Sequence, residues 1–264
     1  MSCVIRFRPL IAARFAIGQK NYCNTIRHFS KRDGEDNFIN SEDYESDIKS
    51  KILREALKFV PEKGWTKDAV TAGAHVAGYP GVVHGLFPGA GADLVNFFLS
   101  DSNKQLVEIL KNYQKEPELQ SITPVQFVEK AIQQKLLMLV PYKSKWPQAI
   151  AIMSLPPNVP TALASLLTLV DDICYYAGDR SVDFNWYARR IGVAGIYKTT
   201  ELYLIQDNSP DHIKTFEFLN KRLSEAVVIH DLICKNDTAN PGTKDSIVSA
   251  FVTARNILGL NWNR

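Results

Sequence analysis

From Ile48 onward the apolar residues of this chain recur at spacings of three and four, segment after segment, and nowhere alternate in the two-residue rhythm of a strand. Ile48, Ile52, Leu53, Leu57 and Val60 set the pattern, and Pro61 and Gly64 end it. Thr66 is a suitable N-cap for a second helix reaching about position 76, after which Gly-Tyr-Pro-Gly starts a short third one. Long amphipathic segments follow at 93–116 and 124–140, stopped by Pro117 and Pro141. Further helices are expected near 145–154, 161–177, 183–206 and 213–234, and a last one at 247–258. With no strand pattern and no internal repeat, the expected class is all-α.

Charge divides the chain before it describes it. Arg6, Arg8, Arg14, Lys20, Arg27, Lys31 and Arg32 precede the first acid, Asp33, with serines and apolar residues between them. That is the composition of a mitochondrial transit peptide, expected over 1–29, with Arg27-His28-Phe29 before Ser30 resembling a matrix-protease site. Its removal takes five of the 31 basic residues and none of the 28 acidic ones, leaving a slightly acidic protein for which a polyanion is a poor partner. Residues 30–43 form an acidic linker expected to be disordered, and 236–246 a polar one. No run of eighteen apolar residues occurs, so no membrane-spanning helix is expected.

Motifs for catalysis are missing. There is no nucleophile elbow, phosphate-binding loop, H-E-x-x-H or complete G-x-G-x-x-G. Asp171-Asp172 would need a third carboxylate at position 175 to hold magnesium against a diphosphate, and Tyr175 stands there. The aspartate pair is then a solvated face or part of a contact. Cys174 and Cys234 lie too far apart for a C-x-x-C site, and His75 and His84 lack a carboxylate neighbour, so no metal and no cofactor is expected.

Residues 64–91 have the rhythm of a helix-turn-helix, with Gly78 in the turn, and resemble the N-terminal domain of the tetracycline-repressor family. DNA binding needs cations on the second helix, yet no Lys or Arg occurs from 68 to 103, and that helix would carry Pro80, Gly81 and Gly85. A scaffold that no longer binds nucleic acid is expected. On a helix starting at Asp183, Trp186, Arg190, Val193 and Tyr197 share a face. Arg190 in such surroundings needs a counter-anion, which either a core carboxylate or a lipid phosphate supplies. The terminal segment places Ile247, Phe251 and Leu258 on one stripe flanked by Val248 and Val252, a pattern suited to the headgroup boundary of a bilayer or to folding back on the body.

The runs L-P-P-N-V-P-T-A-L-A-S-L-L-T-L-V-D-D, A-G-D-R-S-V-D-F-N-W-Y-A-R-R and Y-K-T-T-E-L-Y-L-I-Q-D-N-S-P-D, with A-L-K-F-V-P-E-K-G-W-T, closely resemble a mitochondrial family of ubiquinone (coenzyme Q) biosynthesis proteins. The likeness covers the chain from about Lys49 onward and is looser in H-V-A-G-Y-P-G-V-V-H-G. It implies a tetracycline-repressor-like helical bundle with a vestigial helix-turn-helix domain at 44–100, a lipid-binding helical domain at 101–235 and an amphipathic membrane-associating helix at 247–258. It also implies a non-catalytic protein on the matrix face of the inner membrane, peripherally attached. Such a protein takes an isoprenoid quinone intermediate from the bilayer and presents it to the demethoxyubiquinone hydroxylase within a biosynthetic complex. The alternative is a structural or regulatory protein on the same scaffold without lipid delivery. By the same resemblance, Asp171, Ile173, Trp186 and Tyr187 dock the hydroxylase, Arg190 holds a lipid headgroup, phospholipid is a second ligand, and a homodimer is the expected assembly.

Overall fold

The computed structural model describes residues 41–79, 85–115, 122–178 and 184–235, with side-chain burial described over 44–79, 85–115, 122–178 and 189–228. Every regular element among them is a helix, as the periodicity requires. In chain order these are α1 (Ser41–Leu57), α2 (Val60–Lys63), α3 (Lys67–Val76), α4 (Gly91–Tyr113), α5 (Pro124–Leu139), α6 (Trp146–Met153), α7 (Val159–Tyr176), α8 (Phe184–Gln206) and α9 (Ile213–Lys235). A 3-10 segment, Val140–Lys145, joins α5 to α6, and a single 3-10 turn, Pro210–His212, precedes α9.

The boundaries follow local chemistry. Thr66 caps α3 by accepting the Ala69 amide, as its position in the sequence suggests. At α5 the cap is reciprocal: the Thr123 hydroxyl accepts from the Gln126 amide, and the Gln126 side chain accepts from the Thr123 amide, with Pro124 in the first turn. Gly78 ends the turn after α3 at φ 86°, a conformation that favours glycine. Two expectations are corrected. Helix α1 begins at Ser41, inside the stretch expected to be disordered. The division at 100/101 falls in the middle of α4, whose 23 residues run unbroken; α4 packs against α3 on one side and α5, α6 and α7 on the other, so no domain boundary lies there.

The core is built around α4. Its buried stripe, Leu94, Val95, Phe98, Leu99, Leu106 and Leu110, repeats at helical spacing and meets Phe127, Ala131 and Ile132 of α5 together with Leu169 and Ile173 of α7 in one cluster. Each such Val, Leu, Ile or Phe side chain contributes about 1.5–3 kcal/mol on full burial. Near the amino-terminal end of α4, Trp65, Phe98, Tyr142 and Trp146 form an aromatic knot with centroids 5.0–5.7 Å apart, tilted or edge-on. Both indole Nε1 groups are buried without an acceptor among the described residues, so the indoles themselves contribute ring contact and no hydrogen bond to the knot. Around it Gln148 fixes the chain: its Oε1 accepts the Trp65 amide at 2.9 Å and its Nε2 donates to the Trp65 carbonyl at 3.3 Å. Gly64, at φ 70°, is required beside it, because a Cβ would lie 2.4 Å from Gln148 Oε1. Helix α1 approaches α3 closely where Gly73 faces Ala56; a Cβ on Gly73 would meet the Ala56 nitrogen at 2.4 Å.

Candidate functional site

The carboxyl half of α7 and the start of α8 bring together most of the residues singled out in the sequence. In α7, a stretch without charge ends at Asp171 and Asp172, and the helix closes five residues later. The chain returns in α8, which packs against α7 and carries Arg190 in its first two turns. Arg190 Nε donates to Asp171 Oδ1 at 3.0 Å, with the arginine side chain 3% exposed and the aspartate 19%. Of the two counter-anions considered for Arg190, one, the carboxylate, is in place. A buried guanidinium of this kind is held by its partner rather than displayed to solvent, so Arg190 and Asp171 form one unit instead of two separate sites. Asp172 is buried as well, and the aspartate pair is therefore a contact and not a solvated face.

Ile173 corrects the docking assignment. It has no exposed surface and lies in the main core, so in this conformation it offers nothing for another protein to touch. Tyr175, two residues on along α7, is 38% exposed, whereas position 173 shares the inward stripe with Leu169. Trp186 and Tyr187 lie on the first turn of α8, but their side chains fall outside the described residues. Ile247, Val248, Phe251, Val252 and Leu258 also lie outside them, as do Asp183 and His84.

Beyond this pair the surface opens into a cleft of about 380 Å³ between the end of α4, the start of α5 and the end of α7. Tyr113, Ile122, Pro124, Phe127 and Tyr176 line it, with Gln114 donating to the Tyr176 carbonyl at its rim. The cleft is open, and its walls mix aromatic and apolar side chains with polar surface. Tyr113 and Phe127 meet edge-on at 6.3 Å, a rigid wall for a flat ring to lie against.

A second polar group was not foreseen. Lys135 of α5 is completely buried, its Nζ donating to Ser102 Oγ at 2.5 Å and to Asn103 Oδ1 at 2.6 Å. Asn103 passes the connection on to Ser165 of α7 through its Nδ2. Burial pushes the Lys135 ammonium down to about 7; Glu201 and Asp101 oppose that shift and Lys198 adds to it. Buried Glu201 accepts from the Tyr197 hydroxyl at 3.2 Å and pairs with Lys198 at 2.8 Å. The sequence carried a signal for Lys135. It occupies the apolar stripe of α5, one turn from Ala131 and Ile132 and one turn before Leu139. Among the described residues, no group of three or more His, Cys, Asp or Glu is placed to hold a metal ion, and Cys174 is buried.

Comparison with known proteins places this geometry in context. A family model described as COQ9 matches residues 159–230, which span α7, α8 and most of α9, and one described as the N-terminal domain of ubiquinone biosynthesis protein COQ9 matches residues 45–75. The chain is 50% identical over 217 residues to the ubiquinone biosynthesis protein COQ9, mitochondrial, of Drosophila melanogaster, covering 82% of this chain and 67% of the relative. It is 39% identical over 229 residues to the protein of the same name from Xenopus tropicalis, covering 85% and 72%. With that of Homo sapiens it shares 38% over 228 residues, covering 84% and 72%.

Proposed function

Since the chain belongs to the COQ9 family of ubiquinone biosynthesis proteins, whose relatives are named mitochondrial, we propose that it is a non-catalytic lipid-binding accessory protein of that synthesis. It takes an isoprenoid quinone intermediate from the inner membrane and presents it to the demethoxyubiquinone hydroxylase. The observation that carries this reading is the aromatic cleft at the end of α7, within two turns of the Asp171–Arg190 pair. A volume of about 380 Å³ fits a quinone ring with the first part of its tail, and a flat ring against Tyr113, Phe127 and Tyr176 is a natural occupant. The rest of the tail stays in the bilayer, where each methylene left in hydrocarbon rather than water contributes about 0.8 kcal/mol. Peripheral attachment to the matrix face, through the segment at 247–258, keeps the cleft close to that reservoir. Trp186 and Tyr187 form the face for the hydroxylase on a tetracycline-repressor-like scaffold that pairs as a homodimer.

Native mass spectrometry of the purified full chain, followed by lipid extraction, tests the reading. The expected result is a bound isoprenoid that is lost on replacing the half-buried cleft residue Ile122 by Asp with the melting temperature unchanged. A chain that carries no isoprenoid supports instead a structural or regulatory protein without lipid delivery. That second reading has one observation in its favour: Asp171, Ile173 and Arg190 are all engaged in holding the fold together.

A further inference from the structure

The corner between α6 and α7 carries surface that the proposed function leaves unused. Leu155 is 52% exposed, Val159 42% and Leu163 37%, and Pro156, Pro157 and Pro160 are exposed beside them. Single exposed apolar residues are ordinary, but six within nine positions make a patch. No Asp, Glu, Lys, Arg or His occurs anywhere from 146 to 170.

The main-chain donors at the start of this corner are closed, while the Thr161 amide and the Pro156 and Pro157 carbonyls have no partner among the described residues. From 154 to 160 every main-chain donor is either satisfied within the turn or missing because the residue is proline. Ser154 N donates to Ile150 O and Leu155 N to Ile152 O, while Asn158 N and Val159 N both donate to Leu155 O. Two of the three polar side chains turn inward too: Ser154 Oγ donates to Ile150 O and Asn158 Nδ2 to Ile152 O, each at 2.8 Å, while Thr161 is exposed. Closing these donors within the turn lowers the cost of meeting an apolar medium, and the groups left open suit the polar level of the headgroups. A protein partner would be gripped by aromatic or arginine anchors and by rim hydrogen bonds, and between 154 and 163 the chain has no aromatic residue and no arginine.

We propose that the α6–α7 corner is a membrane-contact site, inserting Leu155, Val159 and Leu163 into the boundary between phospholipid headgroups and acyl chains. It acts in addition to the segment at 247–258, and it rests on the peripheral attachment stated above. Helix α7 then runs from an anchored end to a polar one, with Asp171 about 18 Å along its axis from Val159.

Vesicle flotation of the full chain on phosphatidylcholine, phosphatidylethanolamine and cardiolipin tests this. Replacing Leu155 and Val159 together by Asp should lower the partition coefficient at least about tenfold with the melting temperature unchanged. Replacing Phe251 and Val252 by Asp supplies the comparison. If the corner variant floats as the parent does while the terminal variant loses binding, the corner inference fails and the peripheral attachment stands. If the parent chain does not float, both fail. Loss of hydroxylase co-purification with flotation unchanged assigns the corner to a protein partner and also overturns the proposal. Should the aspartates prevent folding, Leu155→Trp on vesicles with brominated acyl chains decides: added tryptophan quenching relative to the parent chain supports insertion, and no added quenching overturns it.

Discussion

Lys135 shows how much a single residue costs and what that cost reports. Its amine sits among the Ser102 hydroxyl and the Asn103 amide, and no carboxylate among the described residues is in hydrogen-bond contact with it. In the unfolded chain it titrates near 10.5, in the fold near 7, so between those values the unfolded state holds the extra proton. Stability therefore rises with pH across that window, by up to about 1.4 kcal/mol per pH unit, and the penalty is complete below pH 7. Lys135→Met should flatten this slope. Urea unfolding at pH 7.5 and 9.5 is expected to show the parent gaining stability at the higher pH relative to the variant, and equal slopes would refute the buried, neutralised amine. The lysine was visible in the sequence as a cation on the apolar stripe of α5. What it touches was not, because Ser102, Asn103 and Ser165 come from two other helices.

At the scale of the helices, punctuation was legible and faces were not. Proline, glycine and threonine mark the starts and stops of α3, α5 and α7 within a few residues of where they fall. The side of a helix that meets the core depends on what packs against it. Ile173, placed on a docking face by resemblance, is turned into the core by the packing of α7, and α4 runs unbroken through the division expected at 100/101. The corner between α8 and α9 shows a device that no periodicity announces. Asp207 is buried and accepts from the Ser209 amide at 2.8 Å, the Thr215 amide at 3.0 Å and the Thr215 hydroxyl at 2.5 Å, fastening the start of α9 to the end of α8. Lys143 donates to the Asp207 carbonyl from the 3-10 segment. Burial alone would raise the Asp207 carboxyl, but the hydrogen bonds from Thr215 and Ser209 outweigh it and hold the group well below the usual carboxylate range. Its contribution is accordingly complete above about pH 4 and lost as the pH falls below that. Asp207→Ala should cost about 1–2 kcal/mol at neutral pH and weaken the dependence of the melting temperature on acid, read by circular dichroism from pH 6 to 3.

For the whole molecule, the all-α class and the family were both present in the string of residues, whereas the allotment of tasks along α7 and α8 was not. Four positions read as docking residues divide once the chain is folded. Asp171 binds Arg190, Ile173 fills the core, and Trp186 and Tyr187 remain to carry the proposed face for the hydroxylase. Trp186→Lys in the full chain is expected to reduce hydroxylase co-purification severalfold while the bound isoprenoid and the melting temperature stay as they are, since aromatic anchors dominate contacts of this kind. Pull-down unchanged by the lysine would remove the docking role from α8.

Gln148 reaches across 83 positions of sequence to hold both main-chain atoms of residue 65, and neither bond involves the indole. The grip is therefore indifferent to what side chain stands at 65 and particular about what stands at 148. Glutamate there would set an oxygen against the Trp65 carbonyl in place of the amide's donor. Among homologues, then, the tryptophan is free to drift as far as the aromatic knot allows, while the glutamine is expected to stay. A single amide splices two remote stretches of the chain, and the record of that splice is to be sought at position 148.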